Sequence, residues 1–396
     1  MITAAISFVP LAIWAYLLLG RGWFWLCRER DDTAEMSVTE AAMPPDGGWP
    51  RIAAVIPARN EAESIAQSVS SLLRQDYPGA LSVVIVDDQS TDDTAVKARD
   101  AALAQRADQR VIVVAGGNLP PGWTGKLWAM QQGLSILENK DEPPEFVLFS
   151  DADIVFSPRT LRRLLAIACA KRRVLTSLMV KLNCESAAEN WLIPAFIFFF
   201  QKLYPFAWVN DARHATAAAA GGCMLARRDA LKRAGGLEAV RGALIDDCAL
   251  GSLMKRQGPI WLGLSQQAHS LRRYPALGDV RRMVARSAYA QLRYSPVRLA
   301  GTLIGMITTY LLPPLFTLFA RGVAQLDGAI AWMLMVVCFA PTLRLYGRSA
   351  WSALALPAIA ALYSAFTVDS ALQHWRGRGG YWKDRFQAPA KKAERA

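Results

Sequence analysis

Four stretches of this chain carry no charged side chain, and their placement constrains the fold more than any other feature. They are Met1 to Gly20, Leu299 to Ala320, Gly328 to Leu343 and Ser349 to Val368. The residues between the first and second have ordinary globular composition. A helix that crosses a bilayer needs about 20 apolar residues. Three stretches meet that length, and the Gly328 stretch, at 16 residues, requires polar neighbours to snorkel or the bilayer to thin. The pattern predicts a transmembrane anchor over 1–27, membrane segments over 299–372 forming two to three helices, and a water-facing domain between.

The flanks orient these segments. The first stretch has no basic residue ahead of it and no small-x-small cleavage site, and Arg21, Arg28 and Arg30 follow it. That reads as an anchor with its downstream side in the cytoplasm, not as a cleaved signal peptide. The basic tail over 373–396 carries Arg376, Arg378, Lys383, Arg385, Lys391, Lys392 and Arg395 and is expected in the cytoplasm by the same rule. The region 299–372 must then cross an even number of times, with one stretch re-entrant or interfacial. The Pro313-Pro314 pair and the short Gly328 stretch with Pro341 are the two candidates. A bacterial-type inner (cytoplasmic) membrane protein with several crossings is the expectation.

The formal charge of +12 raises nucleic acid as a partner. The cations instead flank apolar stretches, as Arg281, Arg282, Arg286, Arg293 and Arg298 do before Leu299. No nucleic-acid module pattern accompanies them, so an anionic lipid surface is the better partner. Residues 273–298 read as an amphipathic interfacial helix. The aromatic stretch 191–209 suits an interfacial segment or a gate for an acceptor lipid, or else a buried core helix. Six cysteines without CxxC or zinc spacing fit a reducing compartment.

Residues 28–50 form a Pro- and Gly-rich linker. Beyond it, IAAVIPA (52–58), LSVVIVDD (81–88), RVIVVAG (110–116) and FVLFSDAD (146–153) are short, rich in Val and Ile, and apolar on both faces. Buried parallel strands read this way. With helical stretches such as Glu61 to Gln75 between them, they predict a doubly wound α/β sheet over 51–272, with its ligand crevice at the carboxyl ends of the strands.

Acidic motifs sit at those ends. Asp151 and Asp153 close a strand, where two carboxylates need a counter-charge. Hard oxygen ligands there suit Mg²⁺ or Mn²⁺ bridging a diphosphate, the alternative being a helix-capping Asp with an incidental neighbour. Asp87 and Asp88 can accept from the imide N–H of uracil, or merely cap a helix. Lys126 can face a diphosphate as a point charge or be a solvated surface lysine. A carboxylate in IDDCAL (245–250) suits a general base for a hydroxyl nucleophile. His269 reads as structural.

Taken in order, IPARNE (56–61), VDDQSTDDT (86–94), GKLWAMQQG (125–133), SDADIVFSP (150–158), GGC (221–223), IDDCAL and QLRY (291–294) resemble the family 2 glycosyltransferases with the GT-A fold. The likeness covers about residues 51 to 298. IPARNEAES, GWTGKLWA, IDDCALG and QLRYSP, with the C-terminal spans, are most similar to the hopene-associated glycosyltransferases of that family. The resemblance implies a GT-A, Rossmann-like, mostly parallel sheet and a nucleotide-sugar donor, taken as a UDP-sugar. It assigns Pro57, Arg59, Glu61, Asp88, Lys126 and Asp151 to the donor, and Asp151 and Asp153 to a divalent metal as the DXD motif. Asp247 falls on the family's catalytic base, and Asp246 stands where Glu is usual. Gly222, Asp246, Gln291, Arg293 and Tyr294 are assigned to acceptor or diphosphate.

One base opposite one metal-bound leaving group implies inversion. Processive members carry Gln-Gln-x-Arg-Trp, whereas Ala290 and Tyr294 stand at two of those positions here, which implies transfer of a single sugar. By the same resemblance the acceptor is a membrane lipid hydroxyl, namely a hopanoid; polyprenyl phosphate, carotenoid or ceramide are the alternatives. A sugar nucleotidyltransferase shares the fold but needs a glycine-rich first loop that IPARNE lacks. A non-catalytic lipid-binding protein would have no need of Asp151, Asp153 and Asp247 together.

Overall fold

A computed structural model describes residues 2–33, 48–139, 141–382 and 385–386. The chain divides into two compact units. One holds Glu29–Leu182 and Trp208–Arg272 with Tyr381–Ala396, and the other holds Met1–Arg28, Asn183–Ala207 and Arg273–Gly380. Within the expected domain span 51–272, residues 183–207 belong to the helical unit. Of the expected linker 28–50, residues 34–47 lie outside the described residues. Residues 29–31 are not free linker: Leu264 N donates to Glu29 O and Asp31 N to Leu264 O. Half of the basic tail, residues 383–384 and 387–396, also lies outside the described residues.

The first unit is built on an eight-stranded sheet. Its strands are β1 (Ile52–Ala58), β2 (Leu81–Asp87), β3 (Val111–Ala115), β4 (Phe146–Ser150), β5 (Ile154–Phe156), β6 (Leu175–Lys181), β7 (Cys223–Arg227) and β8 (Ile260–Ser270). The order is β3-β2-β1-β4-β7-β6-β8-β5. The four apolar runs of the sequence form the parallel half, β3-β2-β1-β4. All seven residues of β1 are buried, as a central strand covered on both faces requires. The other half adds antiparallel pairs to a sheet in which four of the seven pairings are parallel. There β7 runs antiparallel to both β4 and β6, β5 runs antiparallel to β8, and only β6 and β8 pair in parallel. The sheet is therefore mixed.

The helical unit contains α1 (Ile2–Leu19), α2 (Ala187–Leu203), α3 (Leu277–Ala285), α4 (Ala288–Gln291), α5 (Pro296–Phe319), α6 (Val323–Leu345) and α7 (Leu356–Trp375). A 3-10 turn over Ala350–Ala355 leads into α7. Trp14, Phe24, Phe198, Met335, Phe339, Leu356 and Tyr363 share its core. Among the described residues, three helices, Pro296–Phe319, Val323–Leu345 and Ala350–Trp375, are long and apolar enough to cross a membrane, and Ala5–Leu19 of α1 is a shorter apolar helix.

One open alternative is decided here and three expectations change. The stretch 191–209 is largely the core helix α2, whose start is fixed by a capping box between Ser186 and Glu189. Residues 273–298 do not form one helix, because two short helices end in a turn where Arg293 and Tyr294 take φ of 52° and 54°. Pro313-Pro314 does not turn the chain back. A five-residue π segment over Ile307–Leu311 shifts the hydrogen-bond register, so the prolines fall in the first turn of the next segment, where no donor is needed. The Gly328 stretch is likewise not short, since α6 runs 23 residues. A Cβ at Gly328 would sit 2.8 Å from Pro313 O, so the bare backbone lets α5 and α6 pack closely.

Candidate active site

The parallel half of the sheet explains why distant motifs gather. Ala58 pairs with Asp87 and Val55 with Phe149, so Arg59–Glu61, Asp88 and Asp151–Asp153 all follow the carboxyl ends of adjacent strands. The antiparallel β7 adds the glycines to this edge: Ser150 pairs with Cys223, and Asp151 N donates to Gly222 O at 3.4 Å. Two helices begin at the same edge. Thr124 caps Gly125–Glu138 through its hydroxyl, which puts Lys126 in the first turn. Asp246 and Asp247 open Asp246–Lys255, where the exposed N–H groups favour negative charge.

At the centre is Lys126. Its Nζ lies 2.8 Å from Asp151 Oδ1 and 3.2 Å from Asp246 Oδ2. Burial works against its charge, but Asp151 and Asp246 outweigh it and hold the ammonium protonated far above the usual lysine range. Asp247 is fixed by two backbone donors, Gly221 N to Oδ2 at 3.0 Å and Cys248 N to Oδ1 at 2.7 Å. Burial, followed by the neighbouring Asp246, pushes its carboxyl up to about 6 against the opposing pull of Lys126. A carboxylate with that affinity takes a proton more readily than an ordinary aspartate near neutral pH.

A second group lies beside it. Arg272 bonds to Glu61 and lies 3.6 Å from Asp153 Oδ2, and Ser270 Oγ donates to Asp153. Asp153 is buried, and that burial raises its carboxyl although Arg272 opposes it. Arg59 donates to the carbonyls of Asp88 and Gln89, while Asp88 N donates to Ala58 O at 2.7 Å. Asp88 is fully buried, and Pro57 is buried within β1.

Among the described residues no group of three or more His, Cys, Asp and Glu is arranged to hold a metal. Asp151 and Asp153 offer hard oxygens in one turn, and a bound cation would oppose the burial that raises the Asp153 carboxyl. They fit a metal that takes its remaining ligands from a bound diphosphate and water.

The predicted residues Pro57, Arg59, Glu61, Asp88, Lys126, Asp151, Asp153, Asp246 and Asp247 all lie along this strand-end edge. Gly222 is at the edge but faces inward: a Cβ there would meet Val180 at 3.0 Å and Ile154 at 3.4 Å. Gly221 is the glycine that faces Lys126 and Asp247. Gln291, Arg293 and Tyr294 belong to the helical unit. There Gln291 Nε2 donates to Tyr204 Oη at 2.6 Å, and Tyr294 stacks on His374 at 4.4 Å. His269 is an exposed residue of β8. The sequence reading missed Arg272 and Ser270. Their only signal is a polar SLRRY run after a strand, which by itself also fits a solvated loop.

The model of the family described as "Glycosyltransferase like family 2" matches residues 50–266. No curated protein matches the sequence. Among solved structures, the mannosyltransferase PcManGT from Pyrobaculum calidifontis, in complex with GDP-Man and Mn2+, aligns at TM-score 0.54 and 19% identity over 95% of this chain and 99% of that one. At that identity it establishes the shared GT-A fold. Glucosyl-3-phosphoglycerate synthase from Mycobacterium tuberculosis, in complex with Mg2+ and uridine-diphosphate, aligns at TM-score 0.40 and 17% identity over 65% of this chain and 82% of that one.

Proposed function

The chain belongs to the glycosyltransferase-like family 2, and from that we propose that it transfers one sugar from a nucleotide diphosphate, a UDP-sugar, to the hydroxyl of a membrane lipid, with inversion. The observation that carries this reading is Asp247, held by two backbone N–H groups beside Lys126 at the edge shared with Asp151. A base beside a fixed cation separates the two tasks of the reaction. The acceptor oxygen bonds to the anomeric carbon while the bond from that carbon to the diphosphate oxygen breaks, and the hydroxyl proton passes to Asp247.

Lys126 offsets charge on the departing diphosphate. Asp151 and Asp153 would hold a divalent ion on that diphosphate, which when bound neutralises part of its charge. The solved structures named above contain Mn2+ with GDP-Man or Mg2+ with UDP, which supports a metal-aided donor site. Pro57, Arg59, Glu61 and Asp88 are the donor's nucleoside contacts in this reading. Gln291, Arg293 and Tyr294 serve acceptor or diphosphate, and Gly221 replaces Gly222 in that set. The long apolar helices and the arginines at their ends support a cytoplasmic-membrane enzyme, and the sequence likeness supports a hopanoid as the lipid.

The test is direct. Purified protein in nanodiscs is offered UDP- and GDP-sugars with Mg²⁺ or Mn²⁺ and hydroxylated hopanoid, and products are read by mass spectrometry and by anomeric coupling. One added hexose of inverted configuration is the expected product. Retention, or donor hydrolysis with no lipid product from any hydroxylated lipid, overturns the reading.

A further inference from the structure

We infer that α7, with its 3-10 lead-in, does not cross the bilayer but lies along its cytoplasmic surface, in contact with anionic headgroups and the upper acyl chains. This rests on the membrane reading above and adds which helices cross.

Start with the helices that run side by side. Ser7 Oγ donates to Asp327 Oδ2 at 2.7 Å near the starts of α1 and α6, and Cys27 Sγ lies 3.5 Å from Thr342 Oγ1 beyond the end of one and near the end of the other. Those two helices are parallel. The turn at 320–322 folds α5 back on α6, with Gln325 Nε2 donating to Thr317 O at 3.1 Å. Trp14 Nε1, midway along α1, donates to Thr309 O midway along α5 at 2.7 Å. The start of α5 and the end of α6 therefore lie on one side, opposite the Arg321 turn.

Both ends of α7 are tied to that same side. Four residues, 346–349, separate the end of α6 at Leu345 from its lead-in at Ala350. Four residues reach about 14 Å at most, too short to recross a core of roughly 30 Å. At the other end, Asp369 pairs with Arg281 at 2.8 Å, and Ser370 Oγ donates to Ala285 O and accepts from Tyr289 N. His374 stacks on Tyr294, two residues before α5 begins. Leu299 of α5 and Ala371 of α7 share one small cluster. A helix whose two ends are held on one side does not cross.

Charge and exposure agree with this placement. Arg344 and Arg348 flank its start and Arg376 and Arg378 its end, all exposed. A crossing would put one pair outside, against the positive-inside rule, whereas a surface helix offers both to anionic lipid. Leu356, Ile359, Tyr363 and Phe366 are buried, while Ala358, Leu362, Ala365 and Leu372 are exposed on another face, which Asp369, paired with Arg281, interrupts with a charge near its end. Trp351 and Trp375, 81% and 55% exposed, stand at the two ends, as aromatic anchors of interfacial helices do. The crossings are then α1, α5 and α6, which leaves the residues after α7 in the cytoplasm.

Depth measurement tests this. Nitroxide labels at Ala358, Ala365 and Leu372, and at Leu326, Met333 and Val337 of α6 for reference, are read in phosphatidylethanolamine–phosphatidylglycerol vesicles by oxygen and nickel-chelate relaxation. The half-buried Cys169 and Cys184 are replaced by serine, and the four buried thiols stay. The three α7 labels are expected at one shallow depth, within about a helix diameter, while the α6 labels step through the bilayer. A steady gradient along α7, which for a perpendicular helix spans about 21 Å over 14 residues, overturns the proposal. If the α6 labels also show no oxygen-rich depth, the membrane reading itself has failed. In a parallel arm, cysteines at Ser349 and Arg378 should react with an impermeant maleimide only in inverted vesicles, and one at Arg321 only in intact spheroplasts. Labelling of Ser349→Cys and Arg378→Cys from opposite faces likewise overturns it.

Discussion

The backbone N–H of Gly221 donates to Oδ2 of Asp247 at 3.0 Å, and no side chain fits at that glycine without touching the candidate base. A Cβ there would lie 3.2 Å from Lys126 Nζ and 3.4 Å from Asp247 Oδ2. Gly221→Ala should therefore leave the fold intact, since its tightest contact, Lys126 Nζ at 3.2 Å, is the end of a long flexible side chain. It should still lower kcat by roughly 10- to 100-fold, because misplacing a catalytic group by about an ångström has effects of that order. An unchanged kcat at an unchanged melting temperature would remove Gly221 from the site.

Asp247→Asn keeps the shape but cannot take a proton. Transfer should fall by about 10²- to 10⁴-fold, while calorimetric binding of UDP with Mn²⁺ stays near that of the wild type. Turnover within threefold of wild type would show that the base is elsewhere.

The raised carboxyl of Asp247 predicts a pH profile. With burial and Asp246 pushing it to about 6, kcat/KM should fall about tenfold per unit as pH drops below that value, because the protonated acid is no base. The stability effect has the opposite sense. A carboxyl raised above its unfolded value favours the fold most when protonated, so its contribution declines as pH rises from near 4 through about 6. A kcat/KM that is flat down to pH 5 contradicts the assignment.

The parallel half of the sheet was legible because buried strands leave short Val- and Ile-rich runs. IAAVIPA maps residue for residue onto β1, and the motifs that follow each run lie at the predicted edge. The other half was not. β7 is only five residues, and β8 mixes Gln266, Gln267 and His269 into its latter part, so neither shows a clean period. Arg272 was invisible for a related reason: its partners Glu61 and Asp153 stand 211 and 119 positions away in sequence, and only the strand order brings the three together. The Pro313-Pro314 pair misled because proline was weighed against an α-helical register, whereas the π segment ahead of it had already shifted the bonds.

Glu189 supplies a check outside the site. It is nearly fully buried and accepts from the backbone N–H groups of Ser186 at 2.8 Å, Glu185 at 3.0 Å and Tyr274. Burial opposes its charge, but these donors outweigh it and hold the carboxyl below its usual 4.5. Its stabilising contribution is thus complete above the unfolded value and lost as pH falls through the lower folded one. Glu189→Gln turns an amide NH₂ toward those donors and should destabilise the protein by about 1–3 kcal/mol at neutral pH. The deficit should shrink in acid. A melting temperature equal to wild type at pH 7 would mean that the three N–H groups find other acceptors.

Arg272 occupies the place where a second cation would act, between Glu61 and the buried Asp153. Removing it as Arg272→Gln takes away the guanidinium that both carboxylates face. Breaking a fully buried pair costs about 3–5 kcal/mol. The guanidinium is about a third exposed here, 34%, so a loss of roughly 1–2 kcal/mol is the fair expectation. Added metal separates this from a merely structural role. An ion that binds only the folded state stabilises it by RT ln(1 + [L]/Kd), and with Arg272 gone Asp153 has lost its main competitor for a cation. Mn²⁺ should then raise the melting temperature of Arg272→Gln more than that of wild type, and Arg272→Lys should fall between them. Asp153→Asn combined with Arg272→Gln should lose the gain. Equal Mn²⁺ responses in all four proteins would mean that Asp153 is not a metal ligand.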